Sequence, residues 1–155
     1  MQNILTTLVG TWFICATNFP MWLKGDKTNP TFNYSVTTKN DKRVLLDEVK
    51  YIKNNKEKTI TGYDYQSESD SAAFTWRGKG ILSLLKSRWK VEMIDPAGQW
   101  AVISFSKTLF TPEGIDIISR APTLSADKIE EIKAFIEKDN LLKKHLASLQ
   151  SLERK

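Results

Sequence analysis

Two-residue alternation of apolar and polar side chains dominates this chain from its start to about residue 120, and it limits what the chain can become. Successive side chains on a strand point to opposite faces, so Thr31-Phe32-Asn33-Tyr34-Ser35-Val36-Thr37 buries one face and wets the other. Arg88-Trp89-Lys90-Val91-Glu92-Met93 repeats the pattern, with charge opposite Trp89, Val91 and Met93. Clusters of turn-forming residues divide the runs: Lys39-Asn40-Asp41, Asn54-Asn55-Lys56, Ser67 to Ser71, Asp95-Pro96-Ala97-Gly98 and Thr111-Pro112-Glu113-Gly114. They leave strands near 11–19, 31–38, 43–52, 58–66, 73–80, 87–94, 99–106 and 114–120. Such a meander, wet on one face, either splits into a sandwich or closes on itself, and closure removes the exposed edges. The predicted fold is therefore all-β, an eight-stranded up-and-down antiparallel β-barrel over about 8–122.

After Pro122 the period lengthens. Ser125 is a suitable N-cap, Asp127 lies in the first turn, and Leu124 can staple onto Ile129. Ile129, Ile132, Phe135 and Ile136 share one stripe, which predicts a helix over about 125–138 packed outside the barrel. Leu142, Leu146, Leu149 and Leu152 form a weaker stripe in a basic tail over about 141–155, expected to be a frayed helix.

The 155 residues suit one domain, 1–155, and 41% hydrophobic against 26% charged residues excludes a disordered chain. The single cysteine, Cys15, excludes an internal disulfide and any multi-cysteine metal site. The N-terminus MQNILTTLVGTW has neither a basic start nor an apolar stretch of signal-peptide length. The expected location is cytoplasmic, with a periplasmic or secreted one as the alternative if a leader has been removed. Basic residues exceed acidic ones by 23 to 18, but they are spread along the chain, densest at Lys53 to Lys58 and at Lys143, Lys144, Arg154 and Lys155. That distribution reads as a solvated surface. Nucleic-acid binding is not expected, because alternation sets the charges of Arg77, Arg88 and Lys90 opposite the rings of Trp76 and Trp89.

Gly10-Thr11-Trp12 resembles the Gly-x-Trp signature that opens the lipocalin barrel, a calycin-type fold. At the far end of the strand region, Ile117-Ile118-Ser119-Arg120-Ala121-Pro122 is similar to the Ser-Arg-x-Pro pattern that precedes the family's long helix. Between them, Met93-Ile94-Asp95-Pro96 stands where the family often has Thr-Asp-Tyr, with Ile94 and Pro96 replacing the flanking residues. The strands holding Phe74-Thr75-Trp76-Arg77-Gly78 and Trp89 also resemble family strands, so the likeness, to bacterial, plant and apolipoprotein D-like lipocalins, spans roughly 8 to 140. It implies that Trp12 plugs the closed end with Arg120 packed over it, and that Gly10, Trp12, Asp95 and Arg120 are structural. It also implies that Asn18 to Leu23 cap the open end, where Phe19, Met21 and Trp22 cover a ligand or touch a membrane or partner.

If Trp12 points inward, alternation puts Ile14 and Ala16 inside, with Phe32, Tyr34, Val36, Phe74, Trp76, Trp89, Val91 and Met93 from the other strands. Such a wall suits one small hydrophobic molecule of the fatty acid, terpenoid or pigment class; it would equally make a solid core. Counting back in twos from Arg120 puts Asp116 inside, but an unpaired buried carboxylate is costly. A bulge that turns Asp116 to solvent and Ile115 and Ile117 inward is the expected solution. The function read from this is binding, transport or sequestration of a small hydrophobic molecule, by a monomer or homodimer without cofactor or metal. The alternative is an isomerase or cyclase using Asp116, Tyr34 and Glu48. No nucleophile elbow, phosphate loop or paired-histidine motif occurs, the one histidine, His145, lies in the tail, and Cys15 alternates outward.

Overall fold

Eight antiparallel strands succeed one another in a computed structural model that describes residues 3–82 and 84–155. They are β1 (Gly10–Thr17), β2 (Thr28–Lys39), β3 (Lys42–Lys53), β4 (Lys56–Gln66), β5 (Ala73–Gly78), β6 (Lys86–Ile94), β7 (Trp100–Phe105) and β8 (Gly114–Ser119). Each pairs with the next, β8 returns to β1, and β1 also pairs with β2, which closes the barrel. The tightest hairpins turn on Asn40-Asp41 and Asn54-Asn55, all four at positive φ, a backbone that asparagine and aspartate tolerate.

Helix α1 (Ile4–Leu8) precedes the barrel, α2 (Pro20–Leu23) follows β1, and α3 (Ala126–Glu137) packs outside. The Ser125 hydroxyl accepts from the Lys128 amide at 3.1 Å, and Ile129, Ile132 and Ile136 are buried against Val102, Ile115 and Ile117. Trp100 stacks on Phe135 with ring centres 6.1 Å apart. Helix α1 is too short to show a period in sequence; Asn3 caps it, and it buries Leu5 and Leu8 in one end of the barrel.

At that end Trp12 is fully buried and its Nε1 donates to the Leu8 carbonyl at 2.9 Å. The Arg120 guanidinium lies 3.8 Å from the ring centre and donates to the carbonyls of Thr11 and Thr7 at 3.2 and 2.7 Å. Gly10 has φ +110, and a Cβ there would stand 2.9 Å from Arg120 Nη1, so glycine is required. Asp95 is structural too: it caps its own turn, accepting from the Gln99 amide at 3.0 Å.

Four expectations are corrected. In β1 the pairing steps from Ile14 opposite Ile118 to Ala16 opposite Ile117, so Cys15 is an extra residue. Ala16, expected inside, joins Cys15 on the outer face under α3, and Thr17 turns inward in its place. In β6 a second bulge at Glu92 sends Met93 to the outer face, where it packs with the α3 cluster, and brings Ile94 in. Strand β8, by contrast, has no bulge: Ile115 and Ile117 supply the apolar outer face that α3 needs, and Asp116 faces the interior, 1% exposed. Finally, the tail is not a frayed helix. After a 3-10 turn at Lys143–Ser148 it forms β9 (Gln150–Ser151) on β1. β1 pairs with β2 only over Gly10 to Phe13, which leaves the main chain of its second half for the tail. Leu142 and Leu149 are buried, the Leu152 amide donates to the Cys15 carbonyl at 2.8 Å, and Arg154 lies over Phe13.

Trp12→Ala is expected to remove ~3–5 kcal/mol of stability, since the void at the barrel floor is walled by paired strands and cannot collapse. Denaturant melts test this; an unchanged midpoint would show that Trp12 does not hold the floor.

Candidate ligand-binding site

Inside the barrel the side chains in phase with Trp12 form one aromatic network. Tyr34 and Trp89 stack 5.8 Å apart, Phe74 and Trp89 stack at 4.6 Å, and Phe32 lies against Tyr34 at 6.0 Å. Phe105, in phase with Ala101 and Ile103 on β7, joins Trp89, Phe32 and Phe19. Of the lining residues expected from sequence, Ile14, Phe32, Tyr34, Phe74, Trp89 and Val91 are buried in this cluster, and Val36 and Trp76 pack against it half-buried. Trp76 lies across Gly62: a Cβ at Gly62 would stand within 3 Å of the indole, so the glycine makes room for the ring.

The mouth is stoppered from within. Phe19 and Trp22, expected on an exposed loop, are 6% and 4% exposed, because α2 turns both into the barrel with Met21 packed beside them. Phe19 meets Phe105 edge-on at 5.4 Å and Trp22 meets Tyr51 at 5.8 Å. Asn18 fastens the stopper: its Oδ1 accepts from the Ile115 amide at 2.9 Å, and its Nδ2 approaches His145 Nδ1 at 3.0 Å and Ser148 Oγ at 3.2 Å.

Three carboxyl groups stand among these rings. Asp47, Asp64 and Asp116 are 4%, 0% and 1% exposed, and one oxygen of each, Asp47 Oδ1, Asp64 Oδ2 and Asp116 Oδ1, has no partner. Among the described residues no lysine, arginine or histidine is buried to balance them. Trp89 Nε1 donates to Asp64 Oδ1 at 2.9 Å. Asp47 and Asp64 lie diagonally across β3 and β4 on the inner face, close enough that the charge of Asp47 disfavours ionisation of Asp64.

Burial pushes all three upward from the ordinary carboxylate value. Asp116 is raised to about 7, opposed by a hydrogen bond from the Thr17 side chain, and Asp47 is raised to about 6. Asp64 is raised well above its ordinary value by burial and then by the charge of Asp47. The Tyr34 phenol is likewise held up, first by burial and then by the charges of Asp47, Asp64 and Asp116, so the three acids surround it.

Of the candidate catalytic residues, Asp116 and Tyr34 therefore share the interior. Glu48 does not: Leu45, Val49 and Tyr51 point inward from β3, and strand geometry sends Glu48 outside. The acids that sequence reasoning missed, Asp47 and Asp64, carry a readable signal. Asp47 is in phase with Leu45, Val49 and Tyr51, and Asp64 is directly opposite the inward Trp76. Cys15 is buried under α3, where burial raises its thiol to about 11, so it is no nucleophile.

No family model matches the sequence, and no curated protein matches it significantly. Solved structures do. Lobster apocrustacyanin A1 superposes with a TM-score of 0.67 at 13% identity, covering 97% of this chain and 79% of that one. The siderocalin Ex-FABP gives 0.69 at 12% identity over 96% of this chain and 95% of that one. The cockroach allergen Per a 4 gives 0.68 at 15% identity over 97% and 88%. At these identities the likeness concerns architecture, and with the closed eight-stranded barrel and its outer helix it shows that this chain has the lipocalin fold.

Proposed function

We propose that the barrel binds one small, largely apolar molecule that carries a hydroxyl or a cationic nitrogen. The apolar part would take the place of the Phe19 and Trp22 stopper against the inner rings, which already contact one another, and the polar group would reach Asp116 or the Asp47–Asp64 pair. The observation that carries this reading is the set of three unpartnered carboxyl oxygens in an aromatic lining with no buried cation among the described residues. A solid core gains nothing from them, since each unmet acid costs stability that leucine would not. The same feature argues against the fatty acids among the expected ligand classes, because a ligand carboxylate would meet three protein carboxyls. Terpenoid alcohols, amines and nitrogen-bearing pigments fit better.

A second reading, proton transfer on a bound apolar substrate, draws on one observation: Asp47 and Asp64 lie diagonally across from each other inside the barrel, Asp64 accepting from Trp89, and burial raises both carboxyls. Product analysis on the wild type and the Asp64→Asn variant separates conversion from binding.

Ligand choice is tested with an alkyl amine, alcohol and carboxylic acid of equal chain length, followed by tryptophan emission and by calorimetry. The amine is expected to bind at one molecule per chain and ten- to a hundredfold or so tighter than the acid, as a charge-assisted hydrogen bond of ~1.5–3 kcal/mol requires. Asp116→Asn or Asp64→Asn should narrow that gap. Equal affinity for amine and acid, or no binding of any of the three, would contradict the reading.

The empty protein should also be most stable in acid. A carboxyl raised by folding contributes stability below its unfolded value and loses it as pH climbs to the folded value. The melting temperature should thus fall as pH rises from about 4 through about 7, the window in which Asp47 and Asp116 ionise in the folded chain. A melting temperature that rises across that window would show that the three acids are ionised and paired when folded.

A further inference from the structure

The loops joining β1 to β2, β3 to β4, β5 to β6 and β7 to β8 all lie at the open rim, because the meander alternates direction. Two of them end in bare apolar side chains. Ile81 and Leu84, between β5 and β6, are 97% and 94% exposed, and Leu109 and Phe110, between β7 and β8, are 96% and 80% exposed. Large apolar groups this exposed, gathered on one rim, mark a contact surface.

Charge identifies the partner. Lys79, Lys86 and Lys107 flank these tips, and Lys24, Lys27, Lys53 and Lys56 continue the positive ring around the other two loops. The acidic groups at this rim are fewer: Asp26 and Glu113 pair with Lys53 at 3.7 Å and with Lys144 at 2.7 Å, Glu57 stands beside Lys56, and the C-terminal Lys155 is held on Asn29. At the opposite rim Asp41, Glu68 and Asp70 alternate with Lys39, Lys42 and Arg43, and nothing comparable accumulates. The positive ring is invisible along the sequence, since its lysines come from four separate loops and the strand ends beside them.

We infer that the open rim docks on an anionic lipid surface, with Ile81, Leu84, Leu109 and Phe110 entering the interfacial layer and the lysine ring meeting the headgroups. Apolar tips bounded by basic residues have the composition that such an interface retains, each kind of contact reinforcing the other. A second copy of this chain is a poor occupant, because two such rims brought together would oppose like charges. Docking would also set the mouth of the barrel against the phase into which apolar molecules partition. The inference does not depend on what the interior binds.

The test is flotation of the full chain with phosphatidylcholine vesicles, with and without phosphatidylserine, and with Phe110→Trp as an insertion probe. Binding should be about tenfold or more stronger on the anionic vesicles and should weaken as salt rises. The emission of Phe110→Trp should shift to the blue and be quenched by brominated lipid. Leu109→Ser with Phe110→Ser should lower vesicle binding about tenfold while the melting temperature holds, since both side chains are already in solvent. Lys42→Glu with Arg43→Glu, at the far rim, should change nothing. Absence of binding to anionic vesicles, unchanged binding by the Leu109→Ser, Phe110→Ser protein, or self-association without vesicle binding would each overturn the inference, the last pointing to a second copy.

Discussion

Strand β1 must satisfy three neighbours at once: β2 along its first half, β9 along its second, and β8 on the other side. Trp12 sets its phase. The indole is held between the Leu8 carbonyl and the Arg120 guanidinium, which leaves it one orientation, so Ile14 points inward and Phe13 outward under Arg154. The extra residue at Cys15 then reverses the phase for the rest of the strand. Cys15 and Ala16 both face α3, and Thr17 comes inside beside Asp116. The position of the buried acid on β8 and the seat of the outer helix thus follow from one anchored ring and one bulge in the neighbouring strand.

This arrangement accepts a local cost. Burial, with no buried cation among the described residues, raises the carboxyls of Asp47, Asp64 and Asp116 above the ordinary carboxylate value, and the lining around them is otherwise apolar. Stability must therefore come from elsewhere: the floor at Trp12, the α3 seam over Val102, Ile115 and Ile117, and the tail that completes the edge of β1. The unmet oxygens of these acids are the observation on which the proposed binding function rests.

Much of the barrel is legible in the sequence because its strands have one wet face. Phe32, Tyr34, Phe74 and Trp89 sit where alternation places them, and Ser125 starts the helix it signals. Legibility fails where that condition fails. Strand β8 is buried on both faces, so its run of isoleucines carries no phase, and the cost of burying Asp116 points the wrong way. Ala16 and Met93 are misplaced because a bulge leaves no local sequence mark. Glu48 and Asp47 are adjacent, and only the phase set by Leu45, Val49 and Tyr51 shows which of the two faces inward. The tail departs most, since its strand exists only because β1 offers an unpaired edge from the other end of the chain.

Burial raises the three interior acids above the ordinary carboxylate value and, if the proposed function holds, a ligand's polar group would meet their free oxygens. Carbon NMR of the aspartate carboxyls, titrated from acid to mildly alkaline pH with and without an alkyl amine, measures this directly. The account predicts that the resonances of Asp47, Asp64 and Asp116 titrate well above the usual carboxylate range in the empty protein, and that saturating amine moves at least one of them to the carboxylate position at neutral pH. Three resonances that titrate at ordinary aspartate values, unmoved by amine, would contradict it.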